Sequence, residues 1–338
     1  MHLIGKLAAA LLVAAGALAY FVAPHSTNTT LAFDEVARPL SEAHSLSYQM
    51  TTRVTGVKEP ISLRVLFKGP NLLRMERPGE LATVADLKTQ KRLVLDLKNK
   101  TALLQEGKLV SDKDAAEDNQ VRMLEELRKL VEKEGKPAGK KRVGDVEAQG
   151  FLVRSRGKDM TVWADPKSKR PLRVEMTVTV SDIKAEIVLS DFQLNPKLDD
   201  ALFRLTPPEG YKLQTIKAEP GKPDDDVAQL LRMYADKSGG TFPKRFDDWP
   251  DYDKVLETKK WKATDPKSGR LLQLIIRINL FLIQHKKDYG YKADGVKLGD
   301  ANKIIFWYKP GGGAKYRAIF GDLHAADVTA DQLPERPK

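Results

Sequence analysis

The chain has 338 residues, 41% of them hydrophobic and 30% charged, with a formal net charge of +11 and no cysteine. These figures exclude a disulfide scaffold, thiol chemistry and a lipid-modified N-terminal cysteine, and they fit a leader followed by about two folded domains of roughly 100–200 residues each. Lysine and arginine are spread along the chain. One cluster, Lys133–Arg142 (KEGKPAGKKR), reads as a solvated loop rather than as a patch for anionic lipid or other polyanions.

Leu7–Ala23 carries no charge over 17 residues and follows Lys6. That length lies at the short edge of a membrane span and is long for a secretory core. The apolar run continues past the Ala17-Leu18-Ala19 cleavage candidate, which favours a single-pass membrane anchor over a signal removed near Ala19. Either way the chain from Pro24 is exported, to the periplasm or its equivalent. Leu31–Ser45 places Phe33, Val36, Leu40 and Ala43 at helical spacing, perturbed by Pro39.

Alternating apolar and polar residues then predict strands over Leu46–Val57, Ile61–Lys68, Leu72–Arg77, Leu81–Asp86, Arg92–Asp96 and Thr101–Leu104. Asn119–Glu134 predicts an amphipathic helix ended by Gly135 and Pro137. Val143–Arg156 reads as a strand pair. A meander follows, with Met160, Val162 and Ala164 on one face of its first strand, Val174, Met176, Val178 and Val180 on the second, and Ile183, Ala185, Ile187 and Leu189 on the third. Leu198–Phe203 is one helical turn, Leu205–Gly210 closes the first domain and Lys217–Pro223 is a linker. The smaller C-terminal domain holds helices from Asp224, over Tyr252–Trp261 and over Asp265–Lys287. A hairpin of Ile304–Lys309 and Lys315–Phe320 and a loop-rich tail, Gly321–Pro334, complete it. Leu271–Ile283 is almost wholly apolar but short and interrupted by Arg277, so it predicts a buried core helix. The segments are thus 1–30, 31–216, 217–223 and 224–338.

No constellation carries enzyme chemistry. None of His2, His25, His44, His285 and His324 stands three to five residues from another, so zinc spacing is missing. There is no nucleophile elbow, phosphate loop or dinucleotide fingerprint. Gly311–Gly313 reads as a hairpin tip, Asp224–Asp226 as a helix N-terminus, and Asp247–Asp251 as a turn. Trp163 either clamps a ligand or packs the sheet. The expectation is a non-enzymatic protein with no catalytic residues, metal, cofactor or nucleic-acid partner. Its candidate binding surface is the alternating apolar set Ile61, Leu63, Val65, Phe67, Leu93, Leu95, Val174, Met176, Val178, Ile187 and Leu189. The same alternation describes a cavity lining or a filled core.

Two runs carry a family pattern: Thr161–Met176 (TVWADPKSKRPLRVEM) and Ser190–Tyr211 (SDFQLNPKLDDALFRLTPPEGY). They resemble the LolA-like superfamily of periplasmic lipoprotein carriers, which also takes in lipoprotein-receptor and sigma-regulator sensor types. Thr30–Phe33, Gly240–Pro243 and Ile305–Tyr308 make the chain similar to planctomycete membrane-anchored proteins labelled outer-membrane lipoprotein-sorting proteins. The resemblance covers Leu31–Tyr211. It implies an α+β fold, an unclosed antiparallel β-barrel whose apolar face is covered by helices, here Leu31–Ser45 and Asn119–Glu134. It also implies a cavity for the acyl chain of a lipid or lipoprotein or, as the alternative, an envelope sensor that binds a regulatory protein. Arg53, Arg64 and Arg74 lie on strands, and none matches the carriers' cavity arginine.

Overall fold

A computed structural model describes residues 32–55, 57–107, 134–155, 158–180, 183–258, 261–284, 289–310 and 314–335. The N-terminal segment 1–30, the Gly311–Gly313 tip and, apart from Glu134, the helix expected over Asn119–Glu134 lie outside these residues. No helix among the described residues is long and apolar enough to cross a membrane.

Helix α1 (Phe33–Glu42) opens the described chain and contains Pro39 without breaking. Its stripe of Phe33, Val36, Ala37 and Leu40 is buried. Eleven strands follow: β1 (Ser45–Val54), β2 (Ile61–Lys68), β3 (Leu72–Arg77), β4 (Leu81–Asp86), β5 (Lys91–Asp96), β6 (Thr101–Glu106), β7 (Gly135–Val143), β8 (Val146–Ser155), β9 (Lys158–Ala164), β10 (Pro171–Val180) and β11 (Ile183–Leu194). After a 3-10 turn, Asp200–Phe203, comes β12 (Lys212–Lys217). All twelve form one sheet in the order β12-β6-β5-β4-β3-β2-β1-β11-β10-β9-β8-β7, whose two edges do not pair, so the barrel is unclosed.

Short connections make the neighbours antiparallel. Three of them share one construction. Asp86, Asp96 and Asp165 each accept the amide two residues on, at 2.9, 3.1 and 2.9 Å. Gln90, Lys100 and Lys169 then turn the chain at φ of 56°, 49° and 60°. Aspartate side chains stabilise such turns by replacing a backbone acceptor.

Four expectations need correction. Gly135 and Pro137 lie in β7, and the basic cluster is this edge strand rather than a loop. Its partner β8 begins at Val146, so the pair read within Val143–Arg156 is a single strand joined to the lysine-rich one. Lys and Pro are what an exposed sheet edge tolerates. The first sheet also takes in Lys212–Lys217, where no strand was expected. It is also not wholly antiparallel, since β12 runs parallel to β6.

The C-terminal part contains α2 (Pro223–Lys237), α3 (Trp249–Val255), α4 (Pro266–Gln284) and a second sheet, β13 (Tyr289–Tyr291), β14 (Ile304–Tyr308), β15 (Tyr316–Phe320) and β16 (Ala325–Val328), in that spatial order. The tail expected to be loop therefore holds β16, whose four residues are too few to show a period. Pro223 begins α2, and Gly239 and Gly240 end it at φ of 69° and 80°. α4 buries Leu271, Leu274, Ile275, Ile278 and Phe281 in the core as expected, with the Phe281 ring 4.7 Å from that of Tyr308.

Candidate functional site

The sheet has two faces, and cross-strand register assigns each residue to one of them. The first face is apolar. One row reads Val153, Met160, Met176, Ile187, Thr52 and Ile61 across six strands. The next reads Phe151, Val162, Val174, Leu189, Met50 and Leu63. Beyond the bulge in β1 a third runs Tyr48, Val65, Met75, Thr83, Val94 and Leu103. The fourth runs Leu46, Phe67, Leu73, Ala85, Arg92 and Gln105.

α1 lies on this face. Its Phe33 ring stands 5.4 Å from that of Phe151, and a Cβ on Gly135 would fall 2.3 Å from Phe33 Cγ. Burial pushes the Tyr48 phenol far above its usual range, so it stays neutral.

Of the candidate residues, Ile61, Leu63, Val65, Phe67, Val174, Val178, Ile187 and Leu189 are buried together here, with Met176 packed against them. Leu93 and Leu95 are not brought to this face. Leu93 pairs with Val84, Val84 with Arg74 and Arg74 with Leu66, all on the opposite side. There they pack with Phe203 of the 3-10 turn, which forms a separate small core. Lys68 and Arg74 hold this segment by donating to the Leu198 and Leu202 carbonyls at 3.4 and 3.1 Å. Arg53, Arg64 and Arg74 all belong to the outer face. Besides Arg77 at the end of β3, a strand arginine on the apolar side is Arg92, which sequence reading missed. Only the β4–β5 register, which pairs it with buried Ala85, reveals its face.

The outer face over β1 and β8–β11 is charged. Arg53, Arg154, Asp159, Arg173, Glu175 and Glu186 line a concavity of about 740 Å³. Arg154 pairs with Asp159 at 2.7 Å. Glu175 accepts from Arg173 at 2.6 Å, Lys141 at 2.9 Å and Trp163 Nε1 at 3.0 Å. Partial burial works to raise the Glu175 carboxyl, but the hydrogen bonds from Lys141, Trp163 and Arg173 prevail and hold it below the usual carboxylate range. Trp163 packs over Gly150, where a Cβ would lie 2.6 Å from its ring. Of its two readings, sheet packing describes it.

The acidic clusters are internally paired. Asp226 takes both arms of Arg277 at 2.8 and 2.6 Å, and Asp224 accepts from Tyr308 at 2.9 Å and Arg317 at 2.6 Å. Asp251 accepts from the Tyr234 hydroxyl at 2.6 Å. Burial first, and then that bond, push the Tyr234 phenol up to about 12. Among the described residues no group of three or more His, Asp or Glu is placed to hold a metal.

Residues 126–216 match a family described as a predicted periplasmic protein (DUF2092). That match contains both runs on which the LolA-like resemblance rests. No curated protein matches the chain. Among solved structures it is similar to an uncharacterised conserved protein from Thermus thermophilus, at 15% identity and a TM-score of 0.33, covering 54% of this chain and 96% of that one. It is similar to a LolA superfamily protein from Nitrosomonas europaea, at 12% identity and a TM-score of 0.23, covering 52% and 98%. It is also similar to a chain in the MucA/MucB complex of Pseudomonas aeruginosa, at 11% identity and a TM-score of 0.27, covering 51% and 58%.

Proposed function

We propose that this protein is a non-enzymatic, extracytoplasmic binding protein. It holds the acyl chain of a lipid or lipoprotein against the apolar face of the sheet, tethered to the membrane through its N-terminal segment. The observation that carries the reading is the composition of that face. Its apolar rows cross ten strands, and they contain Met50, Met75, Met160 and Met176, four of the seven methionines in the chain. Methionine side chains are unbranched and adaptable, and they suit a surface that must accommodate a flexible chain. Each buried methylene contributes about 0.8 kcal/mol, so about ten contribute roughly 8 kcal/mol, the scale of a micromolar complex. The test is to purify the full chain without added lipid, analyse its organic extract by mass spectrometry, and titrate it with a fluorescent fatty-acid probe. Extracted lipid and saturable, displaceable probe binding are expected. An empty extract and no saturable binding would sink the reading.

The charged outer concavity supports a second reading, an envelope sensor that binds a regulatory protein there. Recovery of such a regulator by the native chain, lost in an Arg53→Glu/Arg154→Glu variant and accompanied by no lipid, would select it.

A further inference from the structure

Where the two folded parts meet, α4 runs along β6 and β12 on the apolar side of the sheet. Three contacts set its course. Thr264, just before α4, bonds the hydroxyl of Thr101 at the start of β6. At Gly269 a Cβ would come within 2.8 Å of Leu103 Cδ2 and 3.0 Å of Ile216 Cδ1. Arg277 donates to the Glu219 carbonyl beyond the end of β12, at 3.4 Å. Helix and strands therefore advance together. Four helical residues rise about 6 Å and two strand residues about 6.6 Å, so the residue after Gly269 on the same helix face stands level with the one after Leu103 on the same sheet face. Those residues are Gln273 and Gln105.

Gln273 is 5% exposed, and its side-chain nitrogen is buried with no hydrogen-bond partner. Gln105 lies opposite Arg92 in the β5–β6 register. Both are half-buried, and neither has a recorded side-chain hydrogen bond or ion pair among the described residues. A buried amide without a partner has lost its water and gained no bond in return. The matched rise brings it level with Gln105 and with Arg92 opposite, at the end of a row that begins with Leu46 and Phe67. Arg92 offers only donors, and the buried Gln273 nitrogen is a donor without an acceptor.

We infer that Gln273, Gln105 and Arg92 form a site for a carboxylate or phosphate group, filled by the head group of the amphiphile whose chain lies along the apolar rows. This rests on the acyl-binding reading and adds that the second domain supplies part of the site. A free anion could bring the same chemistry.

The test measures binding of myristate, its neutral counterpart myristyl alcohol, acetate and inorganic phosphate to the full chain by calorimetry. Myristate should bind at least about tenfold more tightly than the alcohol, the scale of a hydrogen bond to a charged group. Arg92→Gln and Gln273→Leu, each with unchanged far-ultraviolet circular dichroism, should remove that preference while alcohol binding persists. Acetate or phosphate binding as tightly as myristate, and lost in the same variants, would support the site and assign it to a free anion. Equal binding of myristate and alcohol by the native chain, or a preference that survives both variants, would overturn the site and leave acyl binding standing. No binding of either amphiphile or of the anions would overturn both.

Discussion

Replacing Asp226 by leucine tests the packing of the C-terminal part most directly. Asp226 and Arg277 have side chains 7% and 15% exposed and meet through two hydrogen bonds of 2.6 and 2.8 Å. Removing one member of a buried pair costs about 3–5 kcal/mol, because the survivor keeps its charge without its partner. Arg277 retains some exposure and its bond to the Glu219 carbonyl, which places the cost near the lower limit, about 3 kcal/mol. For a folded unit of about 100 residues each kcal/mol lowers the midpoint by about 4 °C, so the transition of the C-terminal part should come about 12 °C earlier. Asp226→Leu/Arg277→Met should recover most of that loss, since no charge is then stranded. Scanning calorimetry of the full chain resolves the effect. A single variant within about 2 °C of the native midpoint, or a double variant no better than the single one, would refute the argument.

Three further outcomes are expected. Glu175 has its carboxyl held below its ordinary value, so its contribution is fully present above about pH 4.5 and is lost as pH falls through the lower folded value. Between pH 5 and pH 3 the urea stability of Glu175→Gln should therefore fall less steeply than that of the native chain, and parallel curves would contradict the assignment. Gly150→Val drives a side chain into the Trp163 ring, which should cost about 1–3 kcal/mol and raise the acrylamide quenching of one tryptophan. Phe33→Ala removes the anchor of α1 and should cost about 3–5 kcal/mol in urea unfolding; less than about 1 kcal/mol would mean that α1 is not held through this ring.

The strands legible in the sequence are those whose residues contrast apolar with polar along the chain. Ile61–Lys68, Leu72–Arg77 and Leu81–Asp86 have the limits that their alternation predicts. Strands without that contrast are not legible. Gly135–Val143 is exposed along almost its whole length, and Lys212–Lys217 buries Ile216 alone. The candidate site shows the same boundary at finer scale. Alternation sorts residues within one strand, but it does not relate one strand's faces to another's. Leu93 and Leu95 thus resembled Val65 and Phe67, although the sheet turns them to the side covered by Phe203. Arg92 was hidden by the same ambiguity. Gln273 gave no signal, because its meaning comes from a strand about 170 residues away in the chain.

The parallel pairing of β12 with β6 also bears on how force passes through the molecule. Six residue pairs, from Lys212 beside Thr101 to Lys217 beside Glu106, lie side by side. A pull from the C-terminal part along the strand axis strains their hydrogen bonds together, in shear. A sideways pull would peel them one at a time from Lys217, but that end is closed by the Ala218 amide bonded to the Glu106 carbonyl at 2.7 Å. Gly107 packs so tightly there that a Cβ would lie 2.4 Å from the Ala218 oxygen. The join between the two folded parts is therefore built to transmit tension as a strap, not to swing as a hinge.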